Sequence, residues 1–308
     1  TCINADFSDA DPDCLVVTPR GNWTGKTKGG LILSHDQGRT FRRLPMPFGL
    51  SEELDEALHF IECPNVNSGW AALSPDTKHI VWSVADGIDL PISRLLVSHD
   101  GGETFSFGKV YDLQGSQVIK GRLKVYADRM DSSLFYGWGD HSDFYISHDS
   151  GSTYHQYPLP DEFPVVNFGL IDCANRTEIR GETGKTGTFY IATGQGGLWK
   201  LIYTPDKDTV TLRRLSAEGD AIYRMGLGLG APDADYYKDN KAIYCNGIIE
   251  GEYGFYRSLD DGASFERLNT DRQMYGEINS IDGDRRVFGR FYLATGSNGI
   301  KYGSIQKP

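Results

Sequence analysis

The chain is poor in what most soluble enzymes use to build a core. It has only 5 cysteines and 4 methionines in 308 residues, and its hydrophobic content of 39% is low for a globular protein. No pair among Cys2, Cys14, Cys63, Cys173 and Cys245 has zinc-ligand spacing, so no metal is expected. Their odd number leaves at least one thiol unpaired within the chain. Basic residues are in deficit, 31 against 42 acidic ones, for a formal charge of −11. A phosphate backbone needs a basic face, so nucleic acid is not an expected partner. No apolar run approaches the roughly 20 residues of a membrane span, so no membrane partner is expected either. No signal peptide opens the chain, as a trimmed, mature sequence would also show. No long stretch keeps the 3.6-residue period, which excludes a stack of helical repeats.

What is present is a repeat. Ser34-His35-Asp36-Gln37-Gly38-Arg39-Thr40-Phe41 recurs as Ser98 to Phe105 and as Ser147 to Tyr154. Ser258-Leu259-Asp260-Asp261-Gly262-Ala263-Ser264-Phe265 is a looser fourth copy. These are Asp boxes. The glycine supplies a positive φ, and the Ser and Asp side chains cap backbone groups in a tight turn. The following aromatic is placed to wedge between neighbouring sheets. Asp36, Asp100, Asp149 and Asp260 are accordingly read as structural.

Successive boxes start 64, 49 and 111 residues apart, the last gap being two repeat lengths. The hidden unit is Thr188 to Ser216, where Thr204 to Asp208 is the same hairpin with a worn turn. Six units begin near Ile3, Ser68, Lys120, Val165, Ala221 and Glu277. Each reads as four short β-rich strands bounded by Gly, Pro and Asp, and the sixth has three. Four-stranded units at this period predict an all-β fold, a β-propeller occupying residues 1–308 as a single domain, with negligible helix. The incomplete sixth unit implies imperfect closure or a piece of a longer protein.

Asp boxes join strands three and four. The loops joining strands two and three, and those between units, lie on the opposite face, and a ligand is expected there. These loops are rich in Gly, Asp, Asn, Gln and aromatics, which suits a sugar polymer. Rings stack on pyranose faces, while amides and carboxylates bond the hydroxyls. Trp23, Trp138, Asp140, His141, Gln195, Tyr253 and Tyr275 are the candidate binding residues. Trp138 also fits a core plug. Trp70, Trp82 and Trp199 sit inside strand patterns and read as core. His35, His99 and His148 share one box position in different units, so they are not expected to converge on a metal. Gly194-Gln195-Gly196-Gly197 precedes no helix, so it is not a phosphate loop. Asn22-Trp23-Thr24 and Asn175-Arg176-Thr177 are glycosylation sequons, and with them the chain is expected to be secreted. No cofactor is implied.

Gly194 to Trp199 resembles a motif of glycoside hydrolase family 74, the xyloglucanases. Ala71 to Asp76 with Ile80 to Ser83, Gly262 to Phe265 with Arg267 to Asn269, and Tyr275 to Gly303 resemble it in the same order. The resemblance implies two seven-bladed propellers facing across an open cleft, and inverting cleavage of the β-1,4-glucan backbone of xyloglucan. It also implies two catalytic Asp residues, one from each lobe. The likeness is to the C-terminal lobe alone, lacking its first blade. That lobe's acid lies in a Gly-Asp-Ile-Gly-Gly motif, which is absent here, so neither catalytic Asp is assigned. The expected partners are xyloglucan or a related β-glucan, and an N-terminal lobe. A non-catalytic glycan-binding propeller and a protein-interaction propeller are the alternatives. A sialidase would need an arginine cluster for the substrate carboxylate, and an Arg-Ile-Pro-type opening motif is not found.

Overall fold

A computed structural model describes residues 2–19, 30–44, 69–83, 95–118, 123–166, 178–296 and 298–304. They form two compact units, residues 1–159 with 167–170, and residues 160–166 with 171–308.

The first unit holds three sheets. In the first, β1 (Cys2–Phe7), β2 (Leu15–Pro19), β3 (Ile32–Ser34) and β4 (Arg42–Arg43) pair in chain order. The second runs β5 (Trp70–Leu73), β6 (Ile80–Ser83), β7 (Leu95–Ser98), β8 (Ser106–Phe107). The third comprises β9 (Lys109–Tyr111), β10 (Lys124–Ala127), β11 (Phe135–Trp138), β12 (Phe144–Ser147) and β13 (Thr153–Tyr157), with β9 added parallel to β13 at its edge. The repeat did not announce that fifth strand.

The second unit holds three more. The fourth sheet is β14 (Glu178–Gly181), β15 (Thr188–Ala192), β16 (Leu198–Thr204) and β17 (Thr209–Arg214). The fifth is β18 (Ala221–Leu229), β19 (Lys241–Ile249), β20 (Glu252–Ser258) and β21 (Glu266–Arg267). The sixth has three strands, β22 (Ile278–Gly283), β23 (Arg290–Thr295) and β24 (Ile300–Ser304). The fourth sheet's first strand thus begins at Glu178, later than the Val165 read from sequence; Val165 itself is 75% exposed. Helix among the described residues amounts to two 3-10 turns, Asp140–Ser142 and Pro205–Lys207.

The all-β expectation therefore holds, with six antiparallel meanders of the kind that repeat in a propeller. Middle strands are buried along their whole length in β6, β7, β11 and β12, because neighbouring sheets cover both faces. Outer strands alternate or are exposed, as in β17 and β4. The core is a series of layers between sheets. Leu31, Leu33, Trp82 and Phe105 fill one of these layers, and Ala242, Tyr244, Phe255 and Leu293 another.

The Asp boxes are built as their residues require. Asp36 Oδ1 accepts the Thr40 N–H at 2.8 Å, and Asp149 Oδ1 that of Thr153 at 2.8 Å. Asp100 accepts from Thr104 at 2.9 Å and Asp260 from Ser264 at 2.9 Å. In each box the Ser hydroxyl oxygen accepts the glycine N–H, as Ser147 does from Gly151 at 3.0 Å. Gly151 has φ +87°, and a Cβ there would lie 2.1 Å from Val81 Cγ2 on the adjoining sheet. The wedging aromatic is buried at Tyr154 and Phe105, whereas Phe41 is 45% exposed.

Hydrogen bonds from the Thr40 hydroxyl, its N–H and Ser34 pull the Asp36 carboxyl down to about 2. Asp260 is pulled to about 2 in the same way by Ser264 and Ser258. For Asp100 burial pushes upward, but the Thr104 and Ser98 bonds outweigh it and the value again falls to about 2. A depressed carboxyl lends stability that is present above its unfolded value, near 3.8, and lost as pH falls toward 2. Acid titration followed by circular dichroism should show that loss. Removing one box, as in Asp100→Asn, should make the decline between about pH 4 and about pH 2 shallower.

Innermost strands leave one edge unpaired, and side chains from adjoining sheets cap it. On β5, the Ala71 N–H donates to Asn4 Oδ1 at 2.8 Å and the Leu73 N–H to Asp6 Oδ2 at 2.9 Å. On β18, the Met225 N–H donates to Glu178 Oε2 at 3.2 Å and the Leu227 N–H to Asp282 Oδ1 at 3.0 Å. Burial pushes the Glu178 and Asp282 carboxyls up, against the pull of Arg180. A raised carboxyl lends stability at acid pH that is lost as pH climbs from 4.5 through the folded value. Glu178→Gln keeps an acceptor for Met225 and removes that loss. Its melting temperature, relative to the unmodified chain, is expected to be more favourable at about pH 7 than at about pH 4.

Candidate functional site

In the first unit, the loop between β11 and β12 is the 3-10 turn Asp140–Ser142. His141 there has φ 57° and is exposed. Trp138, immediately before the loop, is 0% exposed, and its ring lies 4.7 Å from that of Phe144. Trp138 is therefore core and not a stacking platform, because β11 is sandwiched on both faces. Trp23 and the two sequons lie outside the described residues.

In the second unit, several loops are tied to one end of the sheets. Gly194 and Ile222 exchange two backbone hydrogen bonds of 2.8 Å, fixing the Gly194 to Gly197 turn against the start of β18. Trp199 Nε1 donates to the Gly196 carbonyl at 2.8 Å, closing the turn from beneath and leaving Gln195 exposed above it. Asp220 accepts the Ala217 N–H and the Glu250 N–H, each at 2.9 Å, so the β19–β20 hairpin is held at the same end. Tyr253 sits just past that hairpin, opposite Ile248, and is half-buried.

Tyr275 precedes β22 and has φ 51°, followed by Gly276 at 67°. Its ring stacks on Phe255, with centroids 6.2 Å apart and planes 21° from parallel. It borders a cleft of about 340 Å³ whose lining includes Arg267, Asn269, Gln273 and Tyr302. Arg267 is fixed there by the Tyr253 carbonyl at 3.0 Å, Glu252 at 2.5 Å and Asp271 at 2.9 Å. Gln195, Tyr253 and Tyr275 are thus presented by one unit, with amide, ring and guanidinium chemistry suited to sugar hydroxyls and ring faces.

Acid–base chemistry is less well served. Glu178, Asp220 and Asp282 cap backbone N–H groups, and Glu252 pairs with Arg267. A buried charge cluster is likewise structural. Lys200 Nζ lies 2.8 Å from Asp261 and 3.6 Å from Glu182, and the Tyr190 hydroxyl donates to Asp261 at 2.6 Å. Asp261 is the residue following the aspartate of the fourth box, so the cluster rivets the fourth sheet to the fifth. The box histidines do not converge. Nδ1 of His99 lies 2.9 Å from that of His79, and Nε2 of His99 lies 2.9 Å from the Ser152 hydroxyl. Among the described residues, no three His, Cys, Asp or Glu side chains are grouped to hold a metal ion. Cys14 and Cys245 are unpaired and buried, and burial pushes the Cys14 thiol up to about 11.

No protein-family profile matches the chain. Known proteins do. The chain is 32% identical over 300 residues to the xyloglucanase Xgh74A of Acetivibrio thermocellus, covering 97% of this chain and 30% of that one. It is 30% identical over 303 residues to a xyloglucanase of a Paenibacillus species, covering 96% of this chain and 25% of that one. Among solved structures it is similar to the GH74 xyloglucanase of Xanthomonas campestris, with a TM-score of 0.70 and 23% identity over 98% of this chain and 37% of that one. The match in structure establishes the propeller fold. The chain spans less than a third of the length of both curated relatives.

Proposed function

We propose that this chain, a homologue of one segment of the family 74 xyloglucanases, forms one wall of a cleft for a β-1,4-glucan of the xyloglucan type. The observation that carries this is its likeness, along 97% of its length, to part of a xyloglucanase. Gln195, Tyr253 and Tyr275 are the wall residues from the second unit. Tyrosine rings cover pyranose faces, while the Gln195 amide and the Arg267 guanidinium hydrogen-bond hydroxyls.

Inverting hydrolysis needs a general acid and a general base about 6.5–9.5 Å apart, on opposite sides of the sugar. The second-unit carboxylates described above are already engaged, and the family's acid motif is missing. The reaction therefore requires an N-terminal lobe facing this wall. Secretion belongs to the same reading, since plant-type glucans lie outside cells and the chain carries two sequons. The engaged carboxylates also favour a second reading, a lobe that binds glycan without cleaving it.

The wall is tested by titrating a xyloglucan oligosaccharide into Tyr275→Ala and Gln195→Ala variants. Tyr275→Ala is expected to weaken binding by about 1–2 kcal/mol, roughly tenfold, alongside some loss of stability from its stacking on Phe255. Unaltered affinity in both variants would remove this face from the site.

A further inference from the structure

The first unit brings two imidazoles into contact on the face that carries the Asp boxes. His99 belongs to the box between β7 and β8, and His79 ends the turn between β5 and β6. Their Nδ1 atoms lie 2.9 Å apart, with ring centroids 5.1 Å apart and planes turned by 69°. His79 lies outside the boxes, so spacing within the repeat did not pair it with His99.

The backbone holds this contact from several sides. The Ser74 hydroxyl donates to Asp76 Oδ1 at 2.5 Å, and its oxygen accepts the His79 N–H at 3.0 Å. Asp76 Oδ1 also accepts the Lys78 N–H at 3.1 Å, and Thr77 takes a φ of 63° to close the turn. The Gly101 N–H donates to the Lys78 carbonyl at 2.9 Å, which locks the box to the turn. The Asp76 N–H reaches the hydroxyl of Ser132, just before β11, at 3.2 Å.

The opposite ring nitrogens are supported too. Nε2 of His79 lies 3.6 Å from Asp76 Oδ2, and Nε2 of His99 lies 2.9 Å from the Ser152 hydroxyl in the box of the third sheet. A histidine that binds a metal through one nitrogen usually donates its other N–H to a carboxylate, a carbonyl or water, which fixes the tautomer. Asp76 can play that part for His79, and the Ser152 hydroxyl for His99. With both Nε2–H groups so used, both Nδ1 lone pairs face each other, where a shared proton or a cation can lie.

The spacing selects the cation. Metal–nitrogen bonds of about 2.0–2.1 Å put two donors about 2.9 Å apart at a right angle and about 3.4 Å apart at the tetrahedral angle. The observed 2.9 Å is a right-angled edge, the geometry of tetragonal Cu²⁺ with nitrogen and oxygen ligands. Imidazole suits this ion, and the first-row series binds Cu²⁺ most tightly. The described His, Cys, Asp and Glu side chains supply no third ligand, so solvent fills the remaining positions. His99 is exposed and His79 half-buried, which leaves the ion a way in, and the formal charge of −11 favours its approach.

We propose that His79 and His99 form a solvent-open Cu²⁺ site, binding through both Nδ1 atoms while Asp76 and Ser152 hold the opposite nitrogens. The proton shared by the pair moves to an Nε2, and the ion takes its place as both rings turn toward it.

The test adds Cu²⁺ to the metal-free chain and follows it by titration calorimetry and pulsed EPR. The expected result is one site per chain that coordinates two imidazole nitrogens and binds Zn²⁺ more weakly. His79→Gln and His99→Gln are each expected to leave a single imidazole on the ion. Asp76→Asn, which loosens His79 without touching the ion, is expected to keep two imidazoles and weaken binding roughly tenfold. His148→Gln, at the same place in the next box, is expected to change nothing. The unmodified chain decides the matter without any variant: one imidazole or none, or no saturable binding, overturns the proposal. Two imidazoles that survive both His79→Gln and His99→Gln would assign the ion to other histidines and also overturn it.

Discussion

Trp138→Ala is expected to cost the first unit about 3–5 kcal/mol of stability, the range for removing a large aromatic from a packed core. Trp138 is fully buried at the end of β11 against Phe144, so its loss leaves a cavity that the sheets on either side cannot close. Where the variant still folds, its affinity for a xyloglucan oligosaccharide should match that of the unmodified chain. Denaturant unfolding measures the first effect and calorimetric titration the second. A variant that unfolds normally but no longer binds would return Trp138 to the ligand face.

Residues 1–308 by themselves are expected to release no reducing sugar from xyloglucan. Loss of both acid and base typically removes several orders of magnitude of rate, which places turnover below detection. On the second-unit rim Asp220 caps backbone N–H groups and Glu252 pairs with Arg267, and the acid motif of the family is absent. Incubation of xyloglucan with the chain, followed by a reducing-end assay, checks this. Steady release proportional to enzyme concentration would refute the division of the reaction between two lobes.

Much of this fold was legible because its turns are chemically explicit. Ser-x-Asp-x-Gly can satisfy a tight turn only in one arrangement, so Asp36, Asp100, Asp149 and Asp260 marked the hairpins before any strand was placed. The worn copy at Thr204 to Asp208 was found by the strands flanking it. Contacts between sheets were not legible, because they join residues with no local signature. Examples are Glu178 capping Met225, Asp261 anchoring Lys200, and β9 crossing to β13. Trp138 was ambiguous for the same reason. Its strand, Phe135-Tyr136-Gly137-Trp138, says that both faces are apolar, but not that a neighbouring sheet reaches the last residue. In the candidate site, Tyr253 and Tyr275 could be nominated from composition. Arg267, which lines the cleft beside Tyr275 and bonds the Tyr253 carbonyl, was read only within the stretch that resembles the family and not as a binding residue.

The central claim is that this chain carries a glycan-binding wall, and calorimetric titration of a xyloglucan oligosaccharide into residues 1–308 tests it most directly. The expected result is weak, saturable one-site binding that Tyr275→Ala reduces about tenfold. Absence of any saturable heat at mM oligosaccharide, from a chain shown to be folded, would contradict it.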